Sequence, residues 1–238
     1  MARAPLRLHQ ELLLLALHDT KGTLAFGQMQ HVGLGGGIFS ELLLEERLRL
    51  VTEKRGRKEK TFVEVANRTR TREDVLDLAL ERLSAAKRRA NPRDTVLRIA
   101  RIKRLRHHVG LELVRRGVLR ATEDEILLFF RRKVYPTLDP GPERALIERI
   151  RAALEDRDAG APDGRTALLI SLAHATGTLR ALYDRKALKA LKVRIEGLVA
   201  EAGEAGDATT AAIQAAQAAA VAATTAAVTA ATAAAASG

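Results

Sequence analysis

The sequence predicts a mainly α-helical single domain with β-hairpins at its periphery. Of the 238 residues, 47% are apolar but only 3% are aromatic, so the core has to be built from Leu, Val, Ile and Ala. That composition favours helices. Apolar residues also recur at spacings of three and four in several segments, as one face of a helix requires, whereas strand-like alternation is confined to short stretches.

Two buried helices are predicted in the N-terminal part of the chain. Residues 11–17 are apolar nearly all round, which is typical of the opening turns of a buried helix, and turn-forming residues follow at 18–22. A Gly-rich run at 33–37 precedes a second buried helix at 38–44. Backbone amides in such a run can hold a phosphate, but the Lys-Ser/Thr pair of a phosphate-binding loop is missing, so close packing or a bend is the expected role.

A hairpin and an amphipathic helix are predicted next. Leu48 and Leu50 alternate with charged residues, residues 54–58 form a charged tip, and residues 61–65 fit the second strand. From Glu73 onward the apolar residues follow a helical period. This segment is therefore expected to pack one helix face on the core.

The most informative predicted helix spans residues 95–116. Its apolar residues are spaced by three and four, and Gly117 follows as a C-cap residue would. Lys103 and Arg106 stand three residues apart on the basic side, close enough on a helix to grip one phosphate. The apolar stripe consists of Ile99, Ile102, Leu105, Val109 and Leu113, and the basic residues are Arg98, Arg101, Lys103, Arg104 and Arg106.

A second hairpin and further helices complete the predicted domain. Strands are expected at 118–120 and 126–130, with a polar turn at 122–125 between them. Helical periods then predict three more helices. These helices are expected at residues 143–154, 165–182 and 186–200.

The C-terminal segment differs in composition from the rest of the chain. We place one domain at residues 6–200 and treat residues 201–238, which are rich in Ala and Thr, as a C-terminal helix or tail. The segment beyond Gly206 is charge-free over a length that could span a membrane, apart from Asp207 at its start. Ala and Thr gain little on entering lipid, however, so a surface helix or frayed tail is the preferred interpretation.

Composition also bears on the chemistry of the chain. The absence of Cys excludes disulfides, thiolate zinc sites and cysteine catalysis. The six His residues lack metal-ligand spacing, and no Ser lies in a Gly-x-Ser-x-Gly motif, so neither a metal, a cofactor nor an enzymatic activity is expected. The N-terminus lacks the pattern of a signal peptide, which predicts a cytoplasmic protein. The net charge of +11 favours an anionic partner, either nucleic acid or an acidic membrane.

Several motifs occur in an order that resembles one protein family. The first is an apolar run that contains a Glu, LRLHQELLLLAL at 6–17, followed by the turn DTKG at 19–22. Later matches are SEL at 40–42 leading to Arg47-Leu48, LVRRGVL at 113–119, LLF at 127–129, YPT at 135–137 and LAHA at 172–175. Over nearly the whole of residues 6–200, the chain resembles the Golgi phosphoprotein 3 family. The short N-terminus and the content of Ala and Arg indicate a prokaryotic-style member.

That resemblance implies a function and a site. Eukaryotic members are non-enzymatic adaptors that bind phosphatidylinositol 4-phosphate and retain glycosyltransferases at the Golgi. The resemblance thus implies a peripheral membrane protein whose partners are an anionic phospholipid membrane, client membrane proteins and, through self-association, a second copy of the chain. The family's lipid pocket uses an aromatic residue, an Arg after it, and two basic residues three apart on a central helix. These positions fall on Phe26, Gly35, Lys103 and Arg106.

Two departures from the family pattern bear on selectivity. Phe26 lacks the N–H group of a Trp, and Gly35 removes one positive charge, so strict selectivity for a 4-phosphate is not expected. The hairpin beyond Phe130 is more basic than in the family and is an auxiliary candidate for membrane contact, at about 1 kcal/mol per cation near an anionic surface. Its basic residues are Arg131, Arg132 and Lys133.

Two alternatives remain open from the sequence. A basic helix at 95–116 followed by a hairpin has the outline of a winged helix, which would bind nucleic acid instead of lipid. An enzyme of a type that residue spacing does not reveal is the third hypothesis.

Overall fold

A computed structural model describes residues 4–17, 30–55, 58–126, 130–156, 162–201, 218–219, 222–223 and 225. The described chain is mainly α-helical, with two separate antiparallel hairpins. The prediction of the fold class is therefore confirmed. The helices are α1 (Leu8–Ala16), α2 (Gln30–Leu44), α3 (Asp74–Ser84), α4 (Pro92–Ala100), α5 (Leu105–Arg115), α6 (Gly141–Glu155), α7 (Gly164–Ala175) and α8 (Arg185–Glu201), with a 3₁₀ turn at Thr178–Ala181. The strands are β1 (Leu48–Arg55), β2 (Lys58–Val65), β3 (Thr122–Ile126) and β4 (Phe130–Val134).

Helix α1 lies at the centre of the domain. All nine of its residues are buried, as the apolar run at 11–17 predicts. It packs against α2, α5, α6 and α7, so the core is a layer of helices around one short central helix. Because α1 also carries His9, Gln10 and Glu11, polar groups are buried with it and require internal partners.

The Gly-rich run lies inside α2, so the prediction of a loop or bend before a helix at 38–44 is wrong. The helix starts at Gln30 and continues through all of the glycines. A Cβ on Gly35 would lie 2.8 Å from the carbonyl oxygen of Val96 in α4, and one on Gly37 would lie 2.9 Å from the backbone N of His9 in α1. The run therefore permits close helix packing, which is the other role that the sequence predicts for it.

The predicted helix at 95–116 is also wrong as a continuous element. It is split into α4 and α5 by a turn at residues 101–104, in which Arg104 adopts a left-handed conformation with φ of 57°. The apolar stripe is nevertheless correct, because Ile99, Leu105, Val109 and Leu113 are buried and Ile102 packs against them. The two halves face different neighbours: α4 packs mainly on α2, and α5 packs mainly on α1.

The C-cap at Gly117 is formed as predicted. Gly117 has a φ of 67°, its N–H donates to Val114, and the N–H of Val118 donates to Leu113. This pair of hydrogen bonds is a Schellman motif, which satisfies the last carbonyl groups of α5.

The two hairpins differ in how well the sequence predicts them. The first has the expected strands, with Leu48 opposite Val65. The second is shifted along the chain: residues 122–125, predicted as the turn, belong to β3, and the pairing runs from Thr122 opposite Val134 to Ile126 opposite Phe130.

The C-terminal half matches the predicted helices except at one break. Helices α6 and α8 agree with the predictions within two residues at each end, but the helix predicted at 165–182 ends at Ala175. There Gly177, with a φ of 73°, redirects the chain into the 3₁₀ turn. Further on, Ala219 and Ala223 are buried. None of the described helices combines the length and the apolar character that crossing a bilayer requires.

Candidate functional site

The basic side chains around residue 103 lie in and beside the turn between α4 and α5. We call the set of Arg101, Lys103, Arg104 and Arg106 the basic turn. The first three are exposed, and Arg106 is half-buried in the first turn of α5. The sequence contains no Asp or Glu between Asp94 and Glu112. The basic turn is therefore free of acidic residues in its own stretch of chain.

Lys103 is the most available of the predicted lipid ligands. Its side chain makes no hydrogen bond or ion pair with any residue that the structure describes. Its place in a turn means that the geometric reason given for pairing it with Arg106, one helical turn of separation, does not apply. Lys103 lies in the turn and Arg106 lies in the first turn of α5. That both side chains bind one phosphate stays a prediction.

Packing of α5 against Tyr135 fixes the surroundings of Arg106. The ring nitrogen Nδ1 of His107 is hydrogen-bonded to the Tyr135 hydroxyl, and a Cβ on Gly110 would lie 2.8 Å from the Tyr135 ring. Burial raises the pKa of Tyr135, and the positive charge of Arg106 opposes this shift. The charge of Arg106 is therefore close enough to Tyr135 to affect the pKa of its hydroxyl group.

The acidic residue of α5 is occupied inside the protein. Oε2 of Glu112 lies 3.2 Å from Nε2 of His9 and accepts a hydrogen bond of 3.0 Å from Gln10, while its Oε1 accepts one of 2.9 Å from the backbone N–H of Val75. Burial would raise the pKa of Glu112, but the bonds and charge interaction with His9, together with the other donors, hold it below its usual value. Through these contacts, Glu112 of α5 connects its helix to α1 and α3.

The other signature carboxylates are buried as well, a role that sequence reasoning missed. Glu41 accepts a 2.6 Å hydrogen bond from the backbone N–H of Leu8 and is paired with Arg165 and Arg7. Burial would raise its pKa, but Arg165 and the other donors lower it. Glu11 is paired with Arg149 at 2.7 Å, yet burial outweighs this pairing and raises the pKa of Glu11. The signal available in the sequence was a Glu directly followed by a run of Leu residues, at 12–15 after Glu11 and at 42–44 after Glu41, a position that demands an internal partner.

The remaining predicted site residues divide into three cases. Phe26 lies outside the described residues. Gly35 is buried against α4, where a side chain has no room, so it is a packing residue, and an auxiliary role at the family's Arg position stays a prediction. The third case is the basic hairpin, whose register places Arg131 opposite Glu125, Arg132 opposite Asp124 and Lys133 opposite Glu123. The formal charges at those register positions cancel, which the sequence prediction did not consider.

Two features of the described residues bear on the alternative functions. The structure divides the predicted helix into α4 and α5, but a helix-turn-helix module also consists of two helices joined by a short turn, so the nucleic-acid alternative stays a prediction. Among the described residues, no group of His, Asp and Glu is arranged to hold a metal ion.

Comparison with known proteins identifies a family. The sequence model of a family described as Golgi phosphoprotein 3 (GPP34) matches residues 8–235. No curated protein matches the chain at a significant level. The matched region includes the basic turn, the Gly-rich helix, the buried carboxylates and the C-terminal segment.

Proposed function

Since this chain belongs to the Golgi phosphoprotein 3 family, we propose that it is a cytoplasmic, peripheral membrane adaptor that binds phosphatidylinositol 4-phosphate or another anionic phospholipid through the basic turn. Lys103 and Arg106 contact the phosphorylated headgroup, and Phe26 lines the site or inserts beside it. The observation that carries the proposal is the exposed, unpartnered Lys103 among the described residues, in a stretch of chain that contains no acidic residue.

The expected strength of the charge attraction sets what else the site needs. A cation near an anionic membrane surface contributes about 1 kcal/mol, so the four cations of the basic turn supply about 4 kcal/mol, which corresponds to a dissociation constant of about 1 mM. Charge alone therefore gives weak, salt-sensitive recruitment. Headgroup contacts and the insertion of an aromatic side chain such as Phe26 supply the additional affinity.

The test is co-sedimentation with vesicles of phosphatidylcholine that contain phosphatidylinositol 4-phosphate. The variant Lys103→Glu with Arg106→Glu is expected to lose binding. The matched control is Arg82→Glu with Lys87→Glu, which makes the same change in net charge at two exposed positions, one in the last turn of α3 and one just beyond the helix. Equal losses in both variants would indicate a general response to net charge, and unchanged binding of the first variant would exclude the proposed site.

A second variant guards against a folding defect. Arg106 is half-buried, so its reversal could disturb the packing of α5, whereas Arg101 and Lys103 are both exposed. Arg101→Glu with Lys103→Glu should therefore retain the wild-type thermal unfolding temperature and still lose vesicle binding. Retained binding by this folded variant would contradict the proposal.

The proposed protein partners are client membrane proteins and a second copy of the chain. Family membership supports lipid or protein partners only in general, so these two partners are part of the proposal. Pull-down of membrane proteins from a vesicle-reconstituted fraction and measurement of the molar mass in solution would test each of them separately.

A further inference from the structure

A second cationic surface lies at the other end of the chain, where α7, the 3₁₀ turn and α8 meet. It forms a cleft of about 300 Å³ with the apolar side chains of Leu179 and Leu188 in its lining. The lining contains five basic residues and no Asp or Glu among the described residues. The basic residues are His174, Arg180, Arg185, Lys189 and Lys192.

Local backbone geometry explains how these side chains come together. The left-handed Gly177 ends α7 and turns the chain back, and Nε of Arg180 lies 4.0 Å from the position of a Cβ on that glycine. The Arg180 side chain therefore folds over the turn. Arg185, Lys189 and Lys192 are spaced by four and three residues in α8, which places them on one side of that helix.

The cations of this cleft are poorly neutralised. Arg180, Arg185 and Lys189 are exposed, and their side chains make no hydrogen bond or ion pair with any described residue. Lys192 has one contact, 3.7 Å to Glu196, and both of those side chains are more than 60% exposed. Such a surface pair contributes little. Like charges gathered around an apolar floor create a local positive potential that favours an anionic ligand.

We propose that this cleft is a second anion site, which binds a multiply charged phosphate group. Its volume lies at the lower end of the range for small-molecule sites, which fits a diphosphate or one phosphorylated headgroup. Arg180 and Arg185 can each donate two parallel N–H bonds to phosphate oxygens, and the Lys residues add point charges. The proposal does not depend on the lipid function of the basic turn, because the two sites share no residue.

The experiment uses inorganic pyrophosphate as the soluble probe and calorimetry on the full chain. The cleft variant Arg180→Gln with Lys189→Gln should bind pyrophosphate at least about tenfold more weakly than the wild type, since two charge-assisted contacts are lost. The control Arg82→Gln with Lys87→Gln removes the same charge from exposed positions outside the cleft and should bind as the wild type does. The variant Lys103→Gln with Arg106→Gln should also retain pyrophosphate binding, which separates this site from the basic turn.

Vesicle-binding measurements on the same variants distinguish a soluble phosphate from a lipid headgroup. If the cleft variant loses pyrophosphate binding but binds vesicles as the control variant does, the site takes a soluble phosphate. If only binding to vesicles with phosphatidylinositol 4-phosphate falls in the cleft variant, relative to phosphatidylserine vesicles and to the control variant, the phosphate belongs to a lipid headgroup. Equal behaviour of the cleft variant and the control towards both probes would overturn the proposal.

His174 gives a local readout of occupancy. Partial burial lowers the pKa of His174; the carboxylate of Glu196 opposes this shift, and the charge of Lys192 adds to it. A phosphate in the cleft would favour the protonated imidazole, so the pKa of His174, followed by NMR, should rise when pyrophosphate is added. An unchanged pKa at a saturating pyrophosphate concentration would place the bound anion elsewhere.

Discussion

Replacing Gly35 by Ala is expected to destabilise this protein, whereas the same replacement of Gly197 is expected to stabilise it. Both glycines lie within helices, α2 and α8. A Cβ on Gly35 would lie 2.8 Å from the carbonyl oxygen of Val96 and 3.1 Å from the backbone N of Ala100. A Cβ on Gly197 would meet no atom within 4 Å, so Gly197 is a matched control.

The two magnitudes follow from opposing effects. Ala is favoured over Gly in a helix interior by about 1 kcal/mol, so Gly197→Ala should raise the free energy of unfolding by about 0.5 to 1 kcal/mol. At Gly35 the same gain is opposed by overpacking, which costs about 1 to 3 kcal/mol. The obstructing atoms belong to the backbone of α4 and cannot rotate aside, so we expect a net loss of about 1 to 2 kcal/mol.

Urea unfolding at constant pH measures both changes as shifts in the midpoint at constant m-value. In thermal unfolding, each kcal/mol corresponds to about 2 to 4 °C for a domain of this size. If Gly35→Ala proved as stable as Gly197→Ala, the close contact of α2 with α4 would be refuted. Gly35→Arg should be less stable than Gly35→Ala and should not strengthen lipid binding, because the added guanidinium has no room at that contact.

Two further predictions concern the buried carboxylates and the strained turn. Hydrogen bonds and ion pairs lower the pKa values of Glu41 and Glu112 in the folded protein, so on acidification the unfolded chain takes up these protons first and the free energy of unfolding should fall as the pH drops through the acidic range. Glu112→Ala should remove part of this pH dependence and cost about 3 to 5 kcal/mol at neutral pH, measured by urea unfolding. A cost below about 1 kcal/mol would contradict the buried network. Arg104→Gly should relieve the left-handed φ of 57°, whereas Arg104→Gln keeps the strain, so the Gly variant should be more stable than the Gln variant by up to about 1 kcal/mol although both weaken vesicle binding equally. Equal stability of these two variants would show that the turn is not strained at Arg104.

Composition and periodicity were sufficient to predict the helical class and most of the elements. Helices α1, α3, α6 and α8 follow from apolar residues at helical spacing, and the hairpin of β1 and β2 follows from alternation around a charged tip. These patterns report burial directly, since an apolar side chain in the wrong place costs free energy in any fold. The apolar stripe from Ile99 to Leu113 was also correct in burial, although not in helix continuity.

The errors arose where tertiary packing overrides local preference. No Gly or Pro marks the break at residues 101–104, and it occurs because α4 packs on α2 while α5 packs on α1. The Gly-rich run has weak helix propensity, yet it is helical because only residues without a side chain let α2 approach α4 and α1 so closely. The second hairpin was displaced because the polar residues Thr122 to Glu125 resemble a turn but pair with the basic strand β4.

The same packing bears on which lipids the proposed site should prefer. The close contact of Gly35 with α4 leaves no place there for the Arg that the family pocket uses, and Lys103 stands in an exposed turn instead of on the wall of an enclosed pocket. Because Arg101, Lys103 and Arg104 are all exposed within four residues, a flat anionic surface can meet several of these charges at once. We therefore expect affinity to follow the charge density of the membrane surface, with phosphatidylinositol 4-phosphate ahead of phosphatidylserine because its headgroup carries more negative charge. A strong preference for the 4-phosphate at equal surface charge would instead require a convergent pocket, with residues beyond the basic turn to complete it.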